Sequence, residues 1–187
     1  WRFAVDFRRV NAVTVMDPKT VPNPQQTLAS LGGNHYFSSL DLLSSYWQQP
    51  LHPDDRKLTA FTIQNVGQLQ WTVVPMGLRN STQTQQRVME QLLMGIDPRH
   101  VLAYIDDVII ATPTLREHLV LLDLVFRRFE SAGMALKLSK CNLVQSSVHY
   151  LGHIVSNRGV ERDPRLIAKV LAMPVPQSLE GLRSFLG

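Results

Sequence analysis

Val101-Leu102-Ala103-Tyr104-Ile105-Asp106-Asp107-Val108-Ile109-Ile110-Ala111 is the stretch on which the fold turns. Two apolar, β-branched runs, Val101 to Ile105 and Val108 to Ala111, flank two adjacent aspartates. This is the pattern of a β-hairpin with a charged tip. Carboxylates side by side at the end of a buried hairpin repel each other and are costly unless a cation joins them. A divalent metal is one answer, and oxygen ligands suit Mg²⁺. A solvated turn, which aspartate favours, is the other. The hairpin alone does not choose between them.

A second carboxylate lies upstream. Tyr36 to Asp41 reads as a strand with an apolar approach, closed by Asp41. If that strand lies beside the hairpin, Asp41 and Asp106 converge on one metal pair, as in-line phosphoryl displacement requires. The competing reading is a helix cap for the turn that runs on through Tyr46.

Further outward, Phe3 to Phe7 alternates as a short strand, and Asn23-Pro24 opens a helix that runs to Leu31 and stops at Gly32-Gly33. Leu58 to Ile63 and Gln68 to Val74 read as strands around a turn at Asn65 to Gly67. Ser81 to Ile96 is helical, with Val88, Met89, Leu92, Leu93 and Ile96 as its apolar stripe. Thr114 to Glu117 is a capping box, and the helix it opens carries Leu115, Leu119, Leu122, Phe126 and Phe129 on one face before ending near Gly133. Strands follow at Leu136 to Leu138, Asn142 to Val144 and Val148 to Val155, then short helices at Asp163 to Ala172 and Leu179 to Leu186, parted by Pro174 and Pro176. Strands and helices mix without βαβ alternation, so the expected class is α+β, an antiparallel sheet with helices on one face.

Composition sets the bounds. The 187 residues suffice for one domain or two subdomains sharing a core, and 44% hydrophobic content supports a packed interior. A net charge of +4 suits a polyanionic partner without demanding one. The single cysteine, Cys141, excludes an intramolecular disulfide and a cysteine-based zinc site and fits a reducing, intracellular setting. No stretch is long and apolar enough to span a membrane. The start at Trp1 inside a strand pattern and the end at Gly187 after an apolar run suggest a fragment of a longer polypeptide.

Tyr104-Ile105-Asp106-Asp107 resembles the Tyr-x-Asp-Asp motif of reverse transcriptases. Trp1 to Asn11 resembles that family's opening block, and Phe37-Ser38-Ser39-Leu40-Asp41-Leu42 with Tyr46-Trp47-Gln48 its first aspartate block. Thr59-Ala60-Phe61, Pro75 to Asn80, Leu138-Ser139-Lys140-Cys141, Tyr150-Leu151-Gly152-His153 and Leu182 to Gly187 follow in the family's order. The Lys-Cys, Leu-Gly-His and Ser-Phe-Leu-Gly blocks resemble gypsy-like LTR retrotransposons more than retroviruses. The resemblance implies a right-hand polymerase fold. Incomplete fingers would span about 1–35 and 50–80, the palm about 36–49 and 81–155, and the start of the thumb or connection about 156–187.

By the same resemblance, Asp41, Asp106 and Asp107 form the catalytic, metal-binding set for two Mg²⁺, with Mn²⁺ able to substitute. Lys140 gives a proton to the leaving group. Arg2, Leu42, Tyr46, Met76, Gly77 and Asn80 contact the incoming dNTP, with Tyr46 as the steric gate against a ribose 2′-hydroxyl. Gln86, Tyr104, Leu151, Gly152 and His153 contact template or primer. Local readings stand beside these roles: a surface arginine, a packed Tyr46, a solvated Lys140, and a Trp71 that is either core or stacking surface. The implied partners are a template–primer duplex, dNTPs, a tRNA primer, and the RNase H and integrase regions of a Pol polyprotein. The implied setting is intracellular, a cytoplasmic virus-like particle whose product is destined for the nucleus.

The sequence departs from the family in three places. Ser45 stands where glycine is usual, at a cost of about 1 kcal/mol if that backbone needs a positive φ. Gln85 replaces an aromatic in line with the apolar stripe, and a buried glutamine without partners costs on the order of 1–3 kcal/mol. Met76 replaces phenylalanine, a milder change. These changes raise the alternative of a catalytically impaired relic that keeps the fold and weak nucleic-acid binding. A palm polymerase that makes RNA is a third reading, against which Tyr46 argues.

Overall fold

The computed structural model describes residues 3–24, 28, 31–173 and 175–186. The chain runs α1 (Arg8–Val13), β1 (Tyr36–Asp41), a 3-10 turn (Ser45–Gln48), α2 (Pro53–Arg56), β2 (Phe61–Ile63), β3 (Gly67–Leu69), α3 (Ser81–Leu92), β4 (Val101–Tyr104), β5 (Asp107–Thr112), α4 (Leu115–Ser131), a second 3-10 turn (Leu138–Lys140), β6 (Asn142–Gln145), β7 (Ser147–Tyr150), β8 (His153–Ser156), β9 (Gly159–Arg162), α5 (Pro164–Leu171) and α6 (Leu179–Leu186).

The hairpin forms where the sequence places it. β4 and β5 pair antiparallel with Tyr104 opposite Asp107, so Ile105 and Asp106 make a two-residue loop. β1 pairs with the other edge of β5, Tyr36 opposite Thr112 and Asp41 opposite Asp107. With β6 beside β1, the sheet order is β4-β5-β1-β6.

Val108, Ile109, Ile110 and Ala111 are all fully buried because the sheet is covered on both sides. Val108, Ile110 and Leu40 pack on Met89 and Leu93 of the α3 region and on Leu122, Val125 and Phe129 of α4. Ile109, Ala111 and Phe37 face Leu28, Leu31 and the small sheet β7-β8-β9 through Val148, Tyr150 and Val155. The expected single face of helices is therefore only half the arrangement. A strand buried on both faces reads as a continuous apolar run, not an alternating one.

α4 is rotated from the expected face. Leu115 and Leu119 are exposed, and His118, Leu122, Val125 and Phe129 point inward. His118 takes a core-facing position because it closes a directional chain. The Thr112 hydroxyl donates to Thr114 O (3.0 Å), so it accepts from His118 Nδ1 (3.0 Å), and the opposite nitrogen takes the Ser38 hydroxyl proton (2.7 Å). Ser38 Oγ in turn accepts from Val144 N (2.9 Å), which ties β1, β5, α4 and β6 together.

This chain needs a neutral ring, and burial pushes His118 below its ordinary value of 6.5. The unfolded chain therefore takes up a proton that the folded ring resists. The contribution is complete above pH 6.5 and declines as pH falls toward the lowered folded value. His118→Leu is expected to cost about 1–3 kcal/mol in denaturant unfolding at pH 7.5 and to reduce the stability lost between pH 7 and 5. Equal stability of variant and parent across that range would mean that His118 contributes packing alone.

Several expected elements differ. Phe3 to Phe7 is not a strand: Arg8 N–H donates to Asp6 Oδ1 (3.0 Å), a local bond that favours entry into α1. The helix expected from Pro24 to Leu31 falls partly outside the described residues. Leu58 belongs to a 3-10 turn (Lys57–Thr59), β3 ends at Leu69, and Val73 makes an isolated bridge to Pro50. Leu136 bridges Leu42, and the chain then coils through the turn that carries Lys140. Val148 to Val155 is a hairpin, because Leu151 and Gly152 both adopt positive φ, 47° and 76°. A Cβ on Gly152 would stand 3.0 Å from Leu166 Cδ1, so the turn is pressed against α5 and needs glycine.

Candidate active site

The strand register builds the site. Asp41 and Asp107 are direct partners across β1 and β5, and Asp106 occupies the adjoining loop. Leu42 N–H donates to Asp106 O (3.3 Å), which ties the loop to the end of β1. Lys140 Nζ lies 2.8 Å from Asp41 Oδ2. It gets there because Lys137 N–H donates to Asp41 O (2.8 Å), anchoring the 3-10 turn at the strand end.

Electrostatics mark the same place. Burial, then the Asp106 and Asp41 charges, push the Asp107 carboxyl up to about 6, with Lys140 partly offsetting them. The Asp41 hydrogen bond and charge raise the Lys140 ammonium above its ordinary value, so it is protonated at neutral pH. Three carboxylates face one ammonium, which leaves a net negative site of oxygen donors. That donor set fits Mg²⁺. The side chains are not, however, a preassembled cluster. Among the described residues no three His, Cys, Asp or Glu side chains are gathered as a metal-binding group, and the Asp41 carboxylate is turned onto Lys140.

A cavity of about 290 Å³ adjoins the carboxylates, lined by Asp41, Asp107, Lys140, Asn142, His149 and Leu151 among others. Tyr150 hydroxyl donates to Asp107 O (3.2 Å), and burial pushes its phenol up. Asn142, His149 and Tyr150 were missed by sequence reasoning. The strands of Asn142 and His149 follow the hairpin by 30 residues or more with no local pattern to announce their return, and Tyr150 enters the sequence reading only as the first residue of the Tyr150 to His153 block.

The remaining expected residues divide. Leu151 and Gly152 form a tight turn beside the carboxylates, with His153 Nδ1–H donating to Leu151 O (2.9 Å), and Tyr104 packs with Leu151 against the small sheet. Tyr46 sits on the first 3-10 turn, its hydroxyl 3.4 Å from Thr82 Oγ1 on α3. Met76 is exposed and Gly77 has φ 94°.

Others are engaged elsewhere. Leu42 is buried in the core under α3 and α4. Asn80 uses its amide to hold the segment after α1, donating to Val15 O (2.9 Å) and accepting from Asp17 N (3.1 Å). Gln86 is 1% exposed and faces the hairpin instead of solvent, accepting from Ile105 N (2.9 Å) and donating to Ala103 O (3.2 Å). Arg2 lies outside the described residues. Trp71 is half-buried in an aromatic group with Phe3, Trp47 and Phe61.

The departures at Ser45 and Gln85 are accommodated. Ser45 is buried in the 3-10 turn without a positive φ, and the left-handed residue is Ser44 (φ 49°). Gln85 is fully buried but partnered: it accepts from Gln49 Nε2 and donates to Ile105 O (3.3 Å).

Comparison with known proteins agrees with this geometry. Residues 1–155 match the family model described as reverse transcriptase (RNA-dependent DNA polymerase). All of the chain aligns with the Pol polyprotein of the Drosophila melanogaster transposon 297 at 33% identity over 187 residues. It aligns with that of transposon gypsy from the same organism at 34% over 186 residues. The Pro-Pol polyprotein of feline foamy virus is 35% identical over 187 residues. The chain spans only 18% of each of the two transposon polyproteins and 16% of the viral one. Among solved structures, a foamy viral protease–reverse transcriptase in complex with RNA/DNA hybrid superposes with a TM-score of 0.89 at 30% identity, over 100% of this chain and 25% of that one. The dsDNA complex of its dRH form gives 0.90 at 30% identity, over 100% of this chain and 32% of that one.

Proposed function

From the membership of this chain in the reverse transcriptase family, we propose that it is the fingers and palm of an RNA-directed DNA polymerase from a gypsy-like retrotransposon Pol polyprotein. The observation that carries this reading is the register that sets Asp41 against Asp107 with Asp106 in the adjoining loop and Lys140 at 2.8 Å. In it the four-stranded sheet with α3 and α4 is the palm, the segments about 1–35 and 50–80 are incomplete fingers, and residues from about 156 begin the thumb or connection.

Asp41, Asp106 and Asp107 would hold two Mg²⁺, with Mn²⁺ in substitution, which when bound supply Lewis-acid stabilisation of an in-line displacement. The primer 3′-oxygen forms the new bond to the α-phosphorus of a dNTP, and the bond to pyrophosphate breaks. Lys140, charged and beside Asp41, has the proton to give to the leaving oxygen. The Tyr46 ring, its hydroxyl 3.4 Å from Thr82 Oγ1, would act as the steric gate against a ribose 2′-hydroxyl. The Leu151-Gly152 turn bears on the primer backbone. A template–primer duplex as partner is supported by the similar enzymes solved with RNA/DNA hybrid and dsDNA. A tRNA primer, RNase H and integrase regions in the parent polyprotein, and a cytoplasmic virus-like particle belong to the same reading.

The test is primer extension on poly(rA)–oligo(dT) with Mg²⁺ or Mn²⁺, using the reverse transcriptase that contains this chain. Extension supports the reading. A folded protein that binds the duplex and never extends it would overturn it in favour of a relic.

Lys140 gives a second check. Its ammonium occupies an Asp41 oxygen that a metal would use. Lys140→Met is expected to tighten Mn²⁺ binding to the nucleotide-free protein about two- to fivefold, the scale of an exposed ion pair. Unchanged or weaker binding, read by electron paramagnetic resonance, would mean that Lys140 does not compete for that oxygen.

A further inference from the structure

The loop of the catalytic hairpin is strained, and the residues that hold it come from α3. Ile105 is β-branched yet sits at φ 60°, a conformation that L side chains rarely adopt and that persists only where the surroundings impose it. Both peptide planes flanking Ile105 are fixed by consecutive glutamines. Gln86 accepts the Ile105 N–H at 2.9 Å, and Gln85 donates to the Ile105 carbonyl at 3.3 Å. Because a peptide is planar, holding both planes sets the dihedrals of Ile105. The second plane is the one that leads into Asp106.

The Gln85 amide is itself oriented. Gln49 Nε2 donates to its Oε1, which leaves Gln85 Nε2 to face Ile105. Gln49 is anchored by its backbone, donating to Tyr46 O (3.2 Å) and accepting from Val74 N (3.0 Å). The pair is buried, Gln85 at 0% and Gln49 at 6% exposure, and Gln49 Oε1 has no partner. Two apolar side chains would fill this space without that orphan oxygen. What they could not do is bond the Ile105 carbonyl.

We propose that Gln85, oriented by Gln49, is a positioning residue of the catalytic turn: by holding the Ile105 carbonyl it fixes the direction in which Asp106 presents its carboxylate. This rests on the polymerase reading for its effect on rate, but not for its effect on the turn. The variants are Gln85→Leu, Gln49→Leu and the double variant, in the reverse transcriptase that contains this chain. For Gln85→Leu, kcat for single-nucleotide extension is expected to fall about 10- to 100-fold, with KM for dNTP within about twofold. Hydrogen exchange at the Ile105 and Asp106 amides should quicken while that of β1 and β5 stays unchanged. Gln49→Leu should move both readouts in the same direction by less. The double variant should regain thermal stability, because both polar partners are gone, yet keep the low kcat.

A folded Gln85→Leu protein with the parental kcat would overturn the proposal. So would a double variant whose kcat recovers together with its stability, because packing would then explain both. If the parent does not extend primers, the polymerase reading fails while the exchange measurement still decides: loop amides exchanging no faster in Gln85→Leu would sink the positioning role, and faster exchange confined to the loop would sustain it.

Discussion

Asp106→Asn in the parent reverse transcriptase is expected to lower primer extension by about 10³- to 10⁵-fold, the range over which removal of single catalytic groups acts. The substitution keeps size and hydrogen-bonding capacity and removes one charge. The fold should survive, because Asp106 lies in a two-residue loop whose backbone is held from outside by Leu42, Gln85 and Gln86. Removing a repelling neighbour should also bring the Asp107 carboxyl down from about 6. The variant is thus expected to unfold at the parental temperature or slightly above it and to bind template–primer normally, while Mn²⁺ binding weakens. Extension within tenfold of the parent would remove Asp106 from the chemistry and leave the aspartate pair as the solvated turn that its sequence also allows.

The hairpin and its flanking helices were legible because each is a local pattern. Two apolar β-branched runs around a charged pair can hardly be anything but adjacent strands, and Thr114 caps its helix by accepting from Glu117 N–H, although its hydroxyl donates to the Glu117 carboxylate in place of the reciprocal backbone bond of a capping box. The convergence of Asp41 on the pair was a conditional statement, and the register supplies the condition. What escaped lies in side chains whose partners are distant in sequence. Gln86 and Asn80 were assigned to nucleic acid and nucleotide because they are polar residues in family blocks. The structure turns Gln86 onto the hairpin and Asn80 onto the segment after α1. The expected stripe of α4 leaves His118 out, and only the arrival of Ser38 from β1, 80 residues away, shows why the buried face runs through it.

The departures from the family pattern carry the same lesson. Ser45 was suspect for a positive φ that falls instead on Ser44, and Gln85 for a missing partner that Gln49 and Ile105 supply. Local strain at Ser45 and an orphaned amide at Gln85 are two of the grounds for the relic reading; neither is present at those residues, although Oε1 of Gln49, the partner of Gln85, is itself buried without a hydrogen bond. Met76 is exposed and gives no ground of its own.

Tyr46→Ala is expected to reduce discrimination between dNTP and rNTP by about 100-fold, the scale on which a pocket distinguishes substrates by size. Chain geometry fixes the ring. β1 ends at Asp41, Ser44 reverses the chain at φ 49°, and the 3-10 turn presents Tyr46 five residues after Asp41. Its hydroxyl lies 3.4 Å from Thr82 Oγ1 at the start of α3, so the ring spans the gap between strand end and helix. A gate made by the ring does not need the hydroxyl, and Tyr46→Phe should retain the parental discrimination. Packing, the competing reading, predicts the opposite pattern: Tyr46→Ala would lose stability and leave the ratio of dNTP to rNTP incorporation where it was. A parent that incorporates both nucleotides equally well would instead assign this palm to RNA synthesis, and single-nucleotide extension with matched dNTP and rNTP separates all three outcomes.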